Sequence, residues 1–260
     1  MAFSVAVSGK GGTGKTTIVG LLLKGFLKEG RKPVLVIDAD HDGNLAQVLG
    51  IKELKTVGEV VEELQRQLSQ FPPDLSKDRW LQSKLNEILV EGKGYDFLSM
   101  GRGEGPGCYC YVNSVLRNIM DHLEKEYPYL LMDNSAGMEH LSRRTTRDAD
   151  VLLIVSDHSR KGIISALRIA ELARELELKL GRLALVINRV QGEPDPRLLK
   201  EMEGMGVELI GVIPEDPKVQ EFDMEGRSVL DLPEGSSAFQ AVHEMLKKIL
   251  NGRWGDGHNR

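Results

Sequence analysis

Residues 9–17 read G-K-G-G-T-G-K-T-T and follow directly on the apolar run Phe3-Ser4-Val5-Ala6-Val7-Ser8. Gly9, Gly14, Lys15 and Thr16 meet the G-x-x-x-x-G-K-[ST] spacing of a phosphate-binding loop. The residue types explain the chemistry. Gly9, Gly11, Gly12 and Gly14 let backbone N–H groups come close to an anion and are expected to adopt positive φ. Thr13 and Thr17 complete the cradle. A helix beginning near Lys15 adds the positive end of its dipole. Lys15 is expected to reach the β- and γ-phosphates, and the Thr16 hydroxyl to sit on Mg²⁺. Lys10 is a second lysine that the spacing rule does not require.

Acidic residues follow other apolar runs. Asp38, Asp40 and Asp42 come close together after Val34–Ile37. Like charges this near repel unless a cation or a water network offsets them. A Mg²⁺-bound nucleotide would supply the cation. Asp40 is the candidate for orienting or activating an attacking water. Asp38 suits an outer Mg²⁺ contact or a structural role. Asp42 reads either as a switch residue or as the N-cap of a helix over Asn44–Leu49, and His41 as a solvated or capping residue. Asp133 ends the run Tyr129–Met132 and can hold a Mg²⁺ water, while Gly137 can sense a γ-phosphate through its N–H. Base choice rests on Asn188-Arg189-Val190-Gln191. A guanine site of the N-K-x-D kind needs an aspartate at its fourth position, and none stands here. Adenine is therefore favoured, with Asn188 reading the base edge and the segment around Pro214 packing beside it.

The elements that must position these residues are legible from periodicity. Strands are expected at Phe3–Ser8, Pro33–Asp38, Tyr95–Ser99, Tyr129–Asn134, Val151–Val155, Leu183–Asn188 and Glu208–Ile213. Helices are expected at Lys15–Lys28, Gly58–Gln70, Trp80–Val90, Val112–Glu126, Gly162–Glu175, Asp195–Met205 and Ala238–Leu250. Near-continuous apolar strands alternating with helices imply a parallel sheet covered on both faces. The expected fold is α/β: a single-domain P-loop NTPase with a mostly parallel central sheet flanked by helices. The domain should span residues 1–252, with a charged helical insertion at about 52–92 and a polar, flexible tail at 253–260. Ligands of such sheets lie beyond the carboxyl ends of the strands, where all the residues singled out above fall.

Composition narrows the partners. The chain has 260 residues and a net charge of −5, which argues against binding nucleic acid or anionic membranes through bulk charge. No signal-peptide order opens the sequence, and no apolar run is long enough to cross a bilayer. A cytoplasmic location is expected. The two cysteines, Cys108 and Cys110, are separated by one residue. A disulfide between them would close a strained ring. They are free, metal-bound or redox-active thiols.

Lys10, Lys15, Asp38-x-Asp40, Asp133–Gly137 and Asn188, in this order, resemble the deviant-Walker P-loop ATPases, the class of MinD, ParA and the nitrogenase iron protein. Within that class Cys108-Tyr109-Cys110-x-x-Asn113 and Met138-Glu139-His140-Leu141 look like the CooC-type accessory ATPases of carbon monoxide dehydrogenase and acetyl-CoA synthase. The resemblance covers nearly the whole chain. It implies Mg²⁺-dependent ATP hydrolysis with Lys10, Lys15 and Asp40 as the catalytic set, and Lys10 reaching the partner's nucleotide in a homodimer that depends on ATP, on metal or on both. It further implies a transition metal between subunits at Cys108 and Cys110 (Ni²⁺ foremost, Zn²⁺ as an alternative) and delivery to an apo-enzyme. A closed thiolate site needs four ligands, and a two-fold axis supplies them from two C-x-C pairs.

Two other readings compete. One is a MinD- or ParA-like positioning ATPase acting on a membrane surface or on DNA. It would use the stripe Phe239, Val242, Met245, Leu246, Ile249 and Leu250 beside Lys247 and Lys248. That stripe is equally what a helix packed on its own domain shows, and packing is the expectation. Arg143, Arg144 and Arg147 read as switch or docking residues. The other is an electron-transfer ATPase with a bridging cluster, which would need a ligand set different from that of the nitrogenase iron protein because the loop holds no cysteine besides Cys108 and Cys110.

Overall fold

Along each long strand apolar side chains alternate between two faces, and the faces sort into two separate cores. Val5, Val7, Val34, Val36, Leu131, Leu153 and Val186 pack into one, and Ala6, Leu35, Ile37, Met132, Ile154 and Leu185 into the other. A period of two with both faces apolar is the signature of a sheet buried between helical layers. The computed structural model describes residues 2–40, 42–67, 77–101, 126–134, 148–194, 196 and 207–251.

The chain starts with β1 (Phe3–Gly9), α1 (Lys15–Lys28), β2 (Val34–Asp38) and the short α2 (Asn44–Val48). Then come α3 (Val57–Gln67), α4 (Lys77–Ile88), β3 (Val90–Glu91), β4 (Tyr95–Ser99) and β5 (Tyr129–Asp133). The second half holds β6 (Asp148–Asp157), α5 (Arg160–Glu175), β7 (Lys179–Val190), β8 (Glu208–Pro214), α6 (Pro217–Met224), a 3-10 turn (Val229–Asp231) and α7 (Ser237–Asn251). Among the described residues the strands form one 8-stranded sheet in the order β3-β4-β2-β5-β1-β6-β7-β8. All neighbours are parallel except β3, which pairs antiparallel to β4. From β1 the described chain builds the β2 side of the sheet and then the β6 side, so the loop after β1 lies where the order reverses. That switch point is where open parallel sheets bind ligands.

The layers follow from the buried faces. α1, α2, α6 and α7 cover the first core, while α3, α4 and α5 cover the second. Burial fixes α1 firmly. Leu21, Leu22, Leu23 and Phe26 are 0–1% exposed, and each such side chain contributes about 1.5–3 kcal/mol. An N-cap hydrogen bond is worth only about 1 kcal/mol. The helix can therefore begin at Gly14 in the left-handed conformation with no side-chain cap, which leaves its first N–H groups for a ligand. α5 needs no such freedom, and Ser159 caps it by accepting a hydrogen bond from Gly162 N.

The expected fold class is the one observed. β4 and α1 have the expected bounds, but β6 and β7 run past their apolar centres. They pair with each other out to Asp148↔Lys179 and Asp157↔Asn188, because parallel backbone pairing continues where side chains turn polar. β3 and α6 were not expected. The 52–92 segment is more than a charged appendage, since it buries Val57, Val60, Val61, Leu64, Leu85 and Ile88 in the second core. The stripe on α7 is internal, with Phe239, Val242, Met245, Leu246 and Ile249 all 0–2% exposed. The expected helices at 112–126 and 195–205 lie outside the described residues, apart from Glu126, which is a turn, and Pro196. The Gly101–Cys110 loop beyond Gly101, the arginines at 143, 144 and 147, residues 135–141 and the tail from 252 also lie outside them. No described helix is long and apolar enough to cross a membrane.

Candidate nucleotide-binding site

The loop between β1 and α1 owes its shape to three glycines. Gly9, Gly12 and Gly14 have φ of 150°, 80° and 85°, values that L residues rarely adopt. Gly11 was expected to share this conformation and does not. At Gly14 a Cβ would come within 2.5 Å of Asn188 Nδ2, and at Gly9 within 2.3 Å of the Val155 carbonyl oxygen on β6. The loop is thus pressed against the ends of two neighbouring strands.

Its carbonyls are turned outward and satisfied from behind. Lys10 O accepts from Thr13 Oγ1 at 2.8 Å, Thr13 O from Asn188 Nδ2 at 2.8 Å and Gly12 O from Arg189 Nη1 at 3.3 Å. Lys15 is 6% exposed and Thr13 2%, whereas Lys10 stands in solvent.

Register brings the carboxylates together. Asp38 and Asp133 are direct neighbours at the ends of β2 and β5, and Asp133 is also paired with Val7 on β1. Both are 0% exposed. Asp38 is engaged: Oδ1 accepts from Asp40 N and Oδ2 from Leu45 N, each at 3.1 Å. Burial pushes its carboxyl up to about 6, against the pull of those two backbone bonds. Asp133 differs, because neither oxygen has a hydrogen-bond partner among the described residues. Burial, aided by Asp38 and Asp40, pushes it up to about 7. The nearby Thr16 hydroxyl and the Lys15 charge oppose that shift, the hydroxyl without forming a full hydrogen bond to either oxygen. A buried carboxylate without a donor, next to the Thr16 hydroxyl, is a donor set suited to a hard cation such as Mg²⁺.

The N-cap reading of Asp42 needs correcting. α2 begins at Gly43 in the left-handed conformation with no side-chain cap. The first-turn amide of Leu45 is taken instead by Asp38, from the strand end below. Asp42 is exposed, and its N–H donates to Asp40 Oδ1 at 3.2 Å. Asp40 is half-buried beside the carboxylate pair. His41, Cys108, Cys110 and Gly137 lie outside the described residues.

At the other end of the loop Asn188 and Pro214 line an open recess of about 70 Å³, with Thr17 and Ile18 of α1 on one wall and Val219 and Gln220 of α6 on another. Asp216 underpins it. Its Oδ1 accepts from Lys218 N at 2.9 Å, and its Oδ2 from Ser236 Oγ at 2.6 Å, Ser237 Oγ at 3.1 Å and Ala238 N at 3.1 Å. One carboxylate therefore ties the starts of α6 and α7. Asp216 was absent from the expected site although its signal was present: an aspartate directly before a proline is an N-cap followed by N1. Arg189 had no comparable signal.

Residues 4–229 match the family described as the CobQ/CobB/MinD/ParA nucleotide binding domain. The chain belongs to this family. An uncharacterized ATP-binding protein of Methanocaldococcus jannaschii is 43% identical over 252 residues, covering 96% of this chain and 99% of the relative. The carbon monoxide dehydrogenase accessory protein CooC of Rhodospirillum rubrum is 31% identical over 257 residues, covering 95% of each chain. Among solved structures, the Pyrococcus furiosus cell division ATPase MinD superposes with a TM-score of 0.73 at 22% identity, covering 96% of this chain and 99% of that one. That likeness supports the P-loop NTPase fold of the family.

Proposed function

We propose that this protein is a Mg²⁺-dependent ATPase that works as a homodimeric metallochaperone, carrying a thiolate-bound metal, nickel foremost, to apo carbon monoxide dehydrogenase or acetyl-CoA synthase. The nucleotide half of the reading is carried by Asp133, a fully buried carboxylate with no hydrogen-bond donor, facing an uncapped helix start and an outward-turned loop. The delivery half is supported by the CooC relative, with its near-complete coverage, and by Cys108-x-Cys110.

Each residue has a definable task. Backbone N–H groups of residues 11–16 and the Lys15 ammonium bind the phosphate oxygens. Thr16, with Asp133 and more distantly Asp38, would hold Mg²⁺, which would offset the charge of the phosphates. Asp40 orients the attacking water. Lys10, exposed at the loop's outer edge, would stabilise charge on the partner subunit's phosphates. Adenine suits the recess. Its strand-end carboxylates, Glu215 and Asp216, already accept from Gln191 and Gln220 and from the starts of α6 and α7. They offer little to the N1 and N2 donors of guanine. Asp42 and Gly137 would follow the γ-phosphate. The positioning reading loses its proposed surface anchor, because the α7 stripe is spent in the core.

Metal analysis and calorimetry test the delivery half. The protein should bind about one divalent metal per dimer, as a four-thiolate site requires. Changing Cys108 and Cys110 to alanine should abolish that binding while leaving ATP affinity intact. Unchanged metal stoichiometry in the double variant would refute the metallochaperone reading.

A further inference from the structure

A phosphate loop binds anions only while its N–H groups converge, so its carbonyls must be held away from the ligand. In this chain that hold comes from the end of β7. Asn188 takes the Thr13 carbonyl and Arg189 the Gly12 carbonyl. The guanidinium lies across the loop, with Nε and Nη2 each 3.8 Å from where a Cβ on Gly14 would stand. Arg189 reaches it from a left-handed backbone, φ 55°, a conformation costly for a non-glycine residue and common where function over-determines the geometry. The same residue also faces the recess. It lines it beside Asn188. Glu215, whose carboxyl is held below the usual range chiefly by its bonds from Gln191 and Gln220, is further lowered by the Arg189 charge.

We propose that Arg189 is a positioning residue that, with Asn188, clamps the outer carbonyls of the phosphate loop and so joins the base end of the site to its phosphate end. The proposal rests on the nucleotide-site reading given above. A group that serves only the base would matter to ATP and not to a ligand without a base. A clamp on the loop matters to both.

Calorimetric titration of the full chain with Mg²⁺–ATP and with Mg²⁺–tripolyphosphate separates the two. Arg189→Ala should weaken both ligands by a similar factor, about threefold to tenfold for one exposed, charge-assisted hydrogen bond. Arg189→Lys should recover part of the loss. Arg189→Gly relaxes the left-handed backbone yet lacks the guanidinium, so it should behave like the alanine variant. Weakened ATP with unchanged tripolyphosphate would overturn the clamp in favour of a base contact. No change with either ligand, or recovery in the glycine variant, would overturn it as well. Wild-type protein that binds neither ligand would overturn the nucleotide reading itself, a distinct outcome. Melting curves of each variant, expected to match wild type for alanine and lysine and to rise slightly for glycine as the left-handed backbone relaxes, separate a binding defect from unfolding.

Discussion

Replacing Asp133 with asparagine tests the buried carboxylate pair through the pH dependence of folding. Burial lifts the carboxyl of Asp133 from 3.8 to about 7 and that of Asp38 from 3.8 to about 6. In the unfolded chain both would titrate near 3.8. Between these values the folded protein holds protons that the unfolded chain has released. The raised pKa values therefore add stability as pH falls, fully present below the unfolded value and lost as pH rises through the folded one. Integrated between about pH 5 and pH 8, the shift at Asp133 is worth about 3 kcal/mol and that at Asp38 about 1 kcal/mol. Nucleotide-free, metal-chelated protein should thus lose about 4 kcal/mol from these two groups over that range. Asp133→Asn cannot ionise, so its stability curve should be flatter than wild type by about 2–3 kcal/mol over the same interval. Its buried amide can cost about 1–3 kcal/mol if its N–H groups find no acceptor, which shifts the whole curve and leaves its slope alone. Urea unfolding followed by circular dichroism at several pH values gives the slopes, and constant m values would show that the unfolded state has not changed. Parallel curves for wild type and variant would refute the reasoning, since they would mean that Asp133 is already ionised in the folded protein.

Other perturbations are equally direct. Gly14→Ala places a Cβ 2.5 Å from Asn188 Nδ2 on a backbone at φ 85°. It should cost about 1–3 kcal/mol of stability and abolish nucleotide binding in the same preparation; calorimetry showing wild-type affinity would contradict the loop geometry. Asp216→Ala strands the donors of Lys218, Ser236, Ser237 and Ala238, and should lower the unfolding free energy by about 2–4 kcal/mol, whereas an unchanged urea midpoint would show that water replaces the carboxylate at no cost. Lys10→Ala should slow ATP hydrolysis by about a hundredfold or more and weaken ATP-dependent dimerisation while the pocket still fills. Sedimentation with a hydrolysis-resistant analogue showing normal dimers, together with normal turnover, would place Lys10 in solvent.

The sequence made some parts of this site legible and hid others for a physical reason. Gly9 and Gly14 were readable because the loop's demands are local: each answers to its own positive φ. β4 and α1 were readable because their buried faces repeat at the period of the element. α6 was missed because only Phe222 is fully buried on it, too little to mark a period. β3 is two residues long and pairs at the sheet edge. The side chains that organise the site across long sequence distances left no local trace. Asp38 reads as one of a cluster of acids, yet its second oxygen caps α2. Asn188 reads as a base contact, yet its amide nitrogen holds a carbonyl 175 residues away in sequence. Partners of that kind become visible only once strand order brings β7 beside β6 and β6 beside β1.

That strand order also supports a ligand that carries charge of both signs. On the α1 side the fold leaves the first N–H groups of an uncapped helix and, at its first residue, the buried Lys15, which favours an anion. On the β5 side it leaves Asp133 without a donor, which favours a cation. Neither imbalance could be relieved by an anion alone, because a phosphate approaching the loop would also approach the Asp133 carboxylate. A cation alone would meet Lys15 and the helix dipole. A Mg²⁺-bound phosphate chain answers both at once. Binding should therefore be tightest for the metal complex of the nucleotide, and weaker for free nucleotide in chelator and for the metal alone. With a charged hydrogen bond worth about 1.5–3 kcal/mol, the loss of the metal should cost at least about tenfold in nucleotide affinity, measurable by calorimetry in buffers that differ only in chelator. Equal affinity with and without Mg²⁺ would mean that Asp133 keeps its proton in the complex and takes no part in holding the cation.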